Sequence, residues 1–254
     1  MDKPLIVITG APAWADAVRA RLAGDYRVAL YAARDNYITR LADDRAVLLL
    51  VDGDADDWRF WTTTPKASPA TRRIPVLLIA ADADVRAEAL QAGADLALPP
   101  DGLPEQIAAL ARDYARVPDA ALLAELECQC REALPPLAVE GVAKFNAGQY
   151  YPQHDLFEEQ WVNTPGPVRD LYRAILQVGV AYYQIERGSH RGALKMLLRS
   201  VQWLALLPDV CQGVDVKQLR EDSYRVRAEL ERMNPADIGQ FDRRLLKPVK
   251  LVPA

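Results

Sequence analysis

The chain is short of the residues that most often carry chemistry. It has three cysteines, three methionines and two histidines in 254 residues. An odd and low cysteine count argues against a disulfide framework and fits a reducing, cytoplasmic setting. No apolar run approaches the ~18 residues of a membrane span. Met1-Asp2-Lys3-Pro4 leads straight into Leu5-Ile6-Val7-Ile8, too short and too early for a secretory core. Charge of one sign is lacking too: 31 basic against 35 acidic side chains give a net charge of −4. Residues 1–116 hold 14 basic and 17 acidic groups and the remainder 17 and 18, so neither half hides a nucleic-acid-binding module. Thr9-Gly10-Ala11-Pro12 has one glycine where a dinucleotide fingerprint needs three, and no Gly-Lys-Ser/Thr loop occurs. Repeats and low-complexity tracts are absent, and the 50% apolar content excludes disorder.

What is present falls into two grammars. In residues 1–117, five β-rich runs (Leu5–Thr9, Tyr26–Tyr31, Ala46–Val51, Pro75–Ala80 and Ala94–Leu98) alternate with helical stretches (Ala13–Leu22, Asp35–Leu41, Val85–Gln91 and Pro104–Tyr114). Ala46–Val51 is apolar throughout, as a strand covered on both faces must be. Strand–helix alternation with short connections predicts a doubly wound α/β domain. Trp58–Arg73, with Thr62-Thr63-Thr64-Pro65, fits a distorted helix or a long loop equally well.

After Val117-Pro118 the strand pattern stops, and residues 118–254 read as an all-α helical bundle. Helices are expected over Ala120–Ala133 and Ala138–Asn146, then from Tyr151-Pro152 to about Trp161. A long one follows over about Val168–Arg187, with Gly188 as its C′ residue. Ser189 is placed to cap a helix reaching Leu207, and Asp215 to cap one reaching about Met233.

The five βα units, with Ile74–Ala80 and Ala92-Gly93-Ala94-Asp95, make residues 4–116 resemble a response-regulator receiver domain, which implies a flavodoxin-like fold. The resemblance places a phosphoacceptor at Asp52. It also calls for an acidic pair after the first strand to hold Mg²⁺, and the chain has Thr9-Gly10-Ala11. A Ser or Thr is expected where Ala80 stands, and a Lys where Pro99-Pro100 falls. Asp52 is thus a vestigial phosphoacceptor in a pseudo-receiver, unable alone to assemble a metal-assisted site.

The second half carries a sharper pattern. Phe145–Trp161 (FNAGQYYPQHDLFEEQW), Ala174-Ile175-Leu176-Gln177 and Arg187–Leu194 resemble, in order, a helical family catalogued as domain of unknown function 309, over about residues 120–232. The family's acidic residue beside the motif His is matched by Asp155, while Gln184 stands where the family often has His. The resemblance implies an all-α bundle and no particular activity.

Read physically, His154 and Glu158 share a helix face, with Trp161 beside it. Arg173, Gln177 and Gln184 form a polar stripe on the long helix, beside small Gly179, Val180 and Ala181. Three readings compete. One is a buried network, His154 bonded to Glu158 and Gln177 to a backbone group. Another is a small-molecule or peptide pocket lined by His154, Glu158, Gln177 and Arg191. The last is a hydrolytic metal site, disfavoured because Gln is a poor ligand and Cys128 and Cys130, at i and i+2, point apart. No metal or cofactor is therefore expected. The leading expectation is a non-catalytic regulatory or binding protein whose partner is a protein or small molecule; self-association into a homodimer stays open. The alternative is a hydrolase using His154 and Glu158 as an acid–base pair.

Overall fold

A computed structural model describes residues 3–252. The chain divides into two compact units, Met1–Val117 and Pro118–Ala254. The first runs β1 (Leu5–Thr9), α1 (Ala15–Leu22), β2 (Arg27–Tyr31), α2 (Tyr37–Asp43), β3 (Ala46–Asp52), α3 (Trp58–Ala67), β4 (Val76–Ile79), α4 (Ala83–Gln91), β5 (Leu96–Leu98) and α5 (Leu103–Tyr114). The strands are all parallel, in the order β2-β1-β3-β4-β5, which is the flavodoxin-like order.

Every residue of β1 and β4 is buried because the sheet has a core on each face. Val7, Leu49, Val51 and Leu78 point into one, with Tyr37 and Trp61. Ile6, Ile8, Leu48, Leu50, Leu77 and Ile79 point into the other, against Val18, Leu22, Leu103 and Ile107. The strand period of two thus assigns neighbouring residues to opposite layers. Trp58–Ala67 is a helix, settling the first part of the ambiguous stretch, and it buries Trp58, Trp61, Thr62 and Pro65. The Tyr37 hydroxyl donates to the Trp61 carbonyl at 3.1 Å, fixing α3 to α2.

The second unit contains α6 (Ala120–Cys130), α7 (Pro136–Asn146), α8 (Tyr150–Asn163), α9 (Arg169–Glu186), α10 (His190–Leu204), β6 (Val210–Cys211), β7 (Val214–Asp215) and α11 (Val216–Arg232). Short 3-10 turns follow at Pro235–Gln240 and Arg243–Leu245. Asp119 and Asp215 cap α6 and α11 by accepting the backbone N–H groups of Ala121 and Gln218. Gly188 ends α9 at φ +72°, as a C′ glycine does. Ser189 precedes α10 but makes no side-chain cap bond. No helix among the described residues is long and apolar enough to cross a membrane.

Two expectations need correction. The unit is not wholly helical, since β6 and β7 form a hairpin around Gln212 (φ +50°) and Gly213 (φ +74°). Two positive φ values suit the primed two-residue turn, but strands of two residues carry no readable alternation. The chain's end extends this hairpin: Asp215 N–H donates to the Lys250 carbonyl and Val252 N–H to that of Gly213. Asn146 secures the same tail through both amide atoms on the Val249 backbone (2.9 and 2.7 Å).

The cysteines are the other correction. Cys130 and Cys211 form a disulfide across 81 residues, leaving Cys128 free and exposed. A low, odd count argues against a framework of many bridges, but it does not exclude a single long-range one. Beside the bridge, Gln212 N–H donates to the Cys130 carbonyl at 2.7 Å. Tyr172, whose hydroxyl is pushed up to about 12 mainly by burial, donates to Gln212 Oε1 at 2.6 Å.

Candidate functional site

The sheet order reverses between β1 and β3, and ligands of such sheets sit beyond the strand C-termini at that point. Asp52 stands there. Its backbone N–H donates to Thr9 Oγ1 (3.3 Å) and its Oδ1 accepts the Asp54 N–H (3.2 Å). Burial is the main cause that raises its carboxyl above the usual range. Gly10, following β1, brings no side chain; a Cβ there would lie 3.6 Å from Asp52 Oδ2. The nearby acids are engaged otherwise: Asp54 accepts the Ala81 N–H and Asp57 pairs with Arg34. Ala80, fully buried, follows β4, and Pro99-Pro100 follow β5. No group of three or more potential metal ligands occurs among the described residues.

The second unit offers a different candidate cluster across α8, α9 and α10. Tyr150, Gln153 and Phe157 turn inward from α8 at helical spacing. Phe157 covers Gly141 of α7, where a Cβ would come within 2.8 Å of the ring. Gln153, fully buried, donates from Nε2 to the Tyr150 carbonyl (3.0 Å) and reaches the Leu176 carbonyl (3.5 Å). It lies against Gly179, where a Cβ would meet that nitrogen at 2.2 Å. The small residue lets α8 and α9 close on a buried amide.

Farther along α8, the Trp161 ring carries two guanidiniums, Arg169 at 5.2 Å and Arg173 at 4.6 Å. Arg173 also stands 4.0 Å from the Trp203 ring of α10, so two indoles flank it. Gln177, one turn on, is 4% exposed, and its Oε1 is buried without a hydrogen-bond partner. Trp161 Nε1 and Arg169 Nε are likewise buried and without one.

His154, Glu158 and Gln177 are not joined by any hydrogen bond. His154, with 31% of its side chain exposed, bonds Asp155, the next residue, at 3.1 Å; the Asp155 side chain is 66% exposed. Its ring also stacks on Tyr151, with centroids 6.4 Å apart. Glu158 and Arg191 are exposed, so the expected His154–Glu158 bond does not form. Of the expected residues, Trp161 and Gln177 enter the polar cluster of α9. Arg169, Trp203 and the buried Gln153 escaped the sequence reading. The spacing of Tyr150, Gln153, Phe157 and Trp161 would have identified the inward face of α8, one residue around from the histidine.

Comparison with known proteins bears on this half of the chain. Residues 138–196 match the family described as Domain of unknown function (DUF309). The DUF309 match supports the resemblance drawn from the three motifs. It contains Gln153, His154, Glu158, Trp161, Arg169, Arg173, Gln177 and Gly179, and leaves Trp203 and the disulfide outside. No curated protein matches the chain.

Proposed function

We propose that the protein is a non-catalytic regulatory or binding protein, with a receiver-like first unit that does not accept phosphate and a helical second unit that binds a small molecule or another protein. The observation that carries this is that, among the described residues, no cluster of potential metal ligands surrounds Asp52 at the switch point of the sheet. A metal-assisted phosphoryl acceptor needs further oxygen ligands and a cation around the aspartate. Gly10, Ala80 and Pro99-Pro100 occupy the places where a receiver keeps them, and burial already disfavours charge on Asp52. In the helical unit, a cooperating acid–base pair would require His154 and Glu158 to face a common cleft. The histidine is instead bonded to Asp155, and Glu158 stands in solvent.

Incubation with a small-molecule phosphodonor and Mg²⁺, followed by intact mass measurement, tests this reading. The expected result is unmodified protein. A stoichiometric phosphoryl adduct on Asp52 would overturn it.

A further inference from the structure

We infer that Trp161, Arg169, Arg173 and Gln177, with Trp203, form a binding site for a small oxyanion that also carries a hydroxyl or ammonium donor. The inference rests on the binding role assigned above to the helical unit and names its ligand class. Two guanidiniums at i and i+4 repel each other, yet both are packed on one indole. They sit in the first two turns of the 18-residue α9, whose N-terminal dipole adds to the positive field. Asp170 is the one acid of that first turn. From Arg187 to Pro208 there is no acid, while α10 carries Arg191, Lys195 and Arg199. Arg199 lies one turn before Trp203.

Positive charge alone would not make a site. The second observation is the set of buried atoms that lack partners. Trp161 Nε1 and Arg169 Nε are donors, which a carboxylate or phosphate oxygen would satisfy. Gln177 Oε1 is an acceptor, nine-tenths buried, on the same face of α9 one turn beyond Arg173. One turn is ~5.4 Å of rise, so a single small molecule can present an anionic group to the arginines and a donor to Gln177. A bare inorganic anion would leave the glutamine unmet.

The test is a tryptophan-fluorescence titration of the full chain at constant ionic strength, using inorganic phosphate, glycerol 3-phosphate and glycerol. Trp161 and Trp203 report from the site. Glycerol 3-phosphate should saturate at lower concentration than phosphate, and glycerol should give no response. Trp161→Phe keeps most of the ring but removes its N–H, and should weaken both anions by about tenfold or more, as loss of a charged hydrogen bond does. Arg169→Gln should do the same. Gln177→Leu should abolish the preference for glycerol 3-phosphate over phosphate. Trp161→Phe carries the test if an arginine variant fails to fold. Absence of saturable binding by either anion, or equal binding by wild type and Trp161→Phe, overturns the site. A phosphoryl adduct on Asp52 with normal anion binding would overturn the functional reading and leave the site intact. No adduct and no anion binding would do the reverse.

Discussion

Removing the Cys130–Cys211 bridge should destabilise the second unit without changing its fold. The cross-link closes a segment of 81 residues, for which chain entropy alone predicts about 4.5 kcal/mol at 25 °C. Measured losses for native bridges cluster lower, at about 2–4 kcal/mol, because the denatured chain retains some structure. Local contacts survive the loss of the bond: Gln212 still joins the Cys130 and Gln129 carbonyls, and Tyr172 still bonds Gln212. A Cys130→Ala/Cys211→Ala variant should therefore unfold cooperatively at lower temperature, by roughly 6–12 °C at about 3 °C per kcal/mol for a unit of this size. Calorimetry with and without a phosphine reductant supplies the assay. The wild-type transition should fall in reductant to near that of the variant, which should itself be indifferent to it. Thiol counting in denaturant gives an independent reading: one reactive thiol, Cys128, before reduction and three after it. Three reactive thiols in air-oxidised, unreduced protein, or a shift equivalent to less than about 0.5 kcal/mol, would refute the reasoning.

Asp52→Asn should raise thermal stability near neutral pH by about 1 kcal/mol or less, because the half-buried carboxylate is partly screened by solvent. Its pKa is raised in the folded state, so the folded chain holds that proton more tightly. The charge penalty is full above the folded pKa and relieved as pH falls toward the unfolded value; the advantage of Asn should shrink in melts taken through that window. His154→Ala should change stability by no more than about 0.5 kcal/mol in denaturant titration, since its partner Asp155 is largely solvated. A loss above 2 kcal/mol would place the ring in a network that its contacts do not contain. Gly179→Ala should cost about 1–3 kcal/mol by overpacking against Gln153, despite alanine's better helix propensity, and Gln153→Ala in the same chain should recover part of that loss. Additive single and double changes in urea midpoints would exclude the contact.

The α/β unit was legible because its signals are local. Ala46–Val51 could only be a strand covered on both sides, and five such runs with helices between them leave few topologies. Trp58–Ala67 resisted because its buried face includes Thr62 and Pro65, residues that weaken a helical reading even where packing supports it. The hairpin at Val210–Asp215 was hidden for another reason. Its strands are held by the chain's own end at Gly213–Val252 and Asp215–Lys250, contacts that no window of local sequence contains. The disulfide belongs with it, since its two cysteines meet only after α6 and the hairpin are docked.

The helical site shows where pattern reasoning stops. Spacing put His154 and Glu158 on one face of α8, and that face exists. What spacing could not assign was its depth. A helix buries a stripe only as wide as its neighbours cover, and on α8 that stripe runs through Tyr150, Gln153 and Phe157. A shift of one residue, ~100° around the helix, leaves His154 partly exposed and places an amide in the core. The polar stripe on α9 behaved differently. On α9, which packs against both α8 and α10, Arg173 lies between two indoles and Gln177, one turn on, is buried. Burial then makes the difference between a surface charge and a binding group. In water a glutamine carbonyl or an indole N–H always has a partner, whereas at Gln177 and Trp161 the packing has removed water and supplied none. A ligand with complementary atoms would meet groups already desolvated by folding, which is why the proposed site lies on α9 rather than at the histidine.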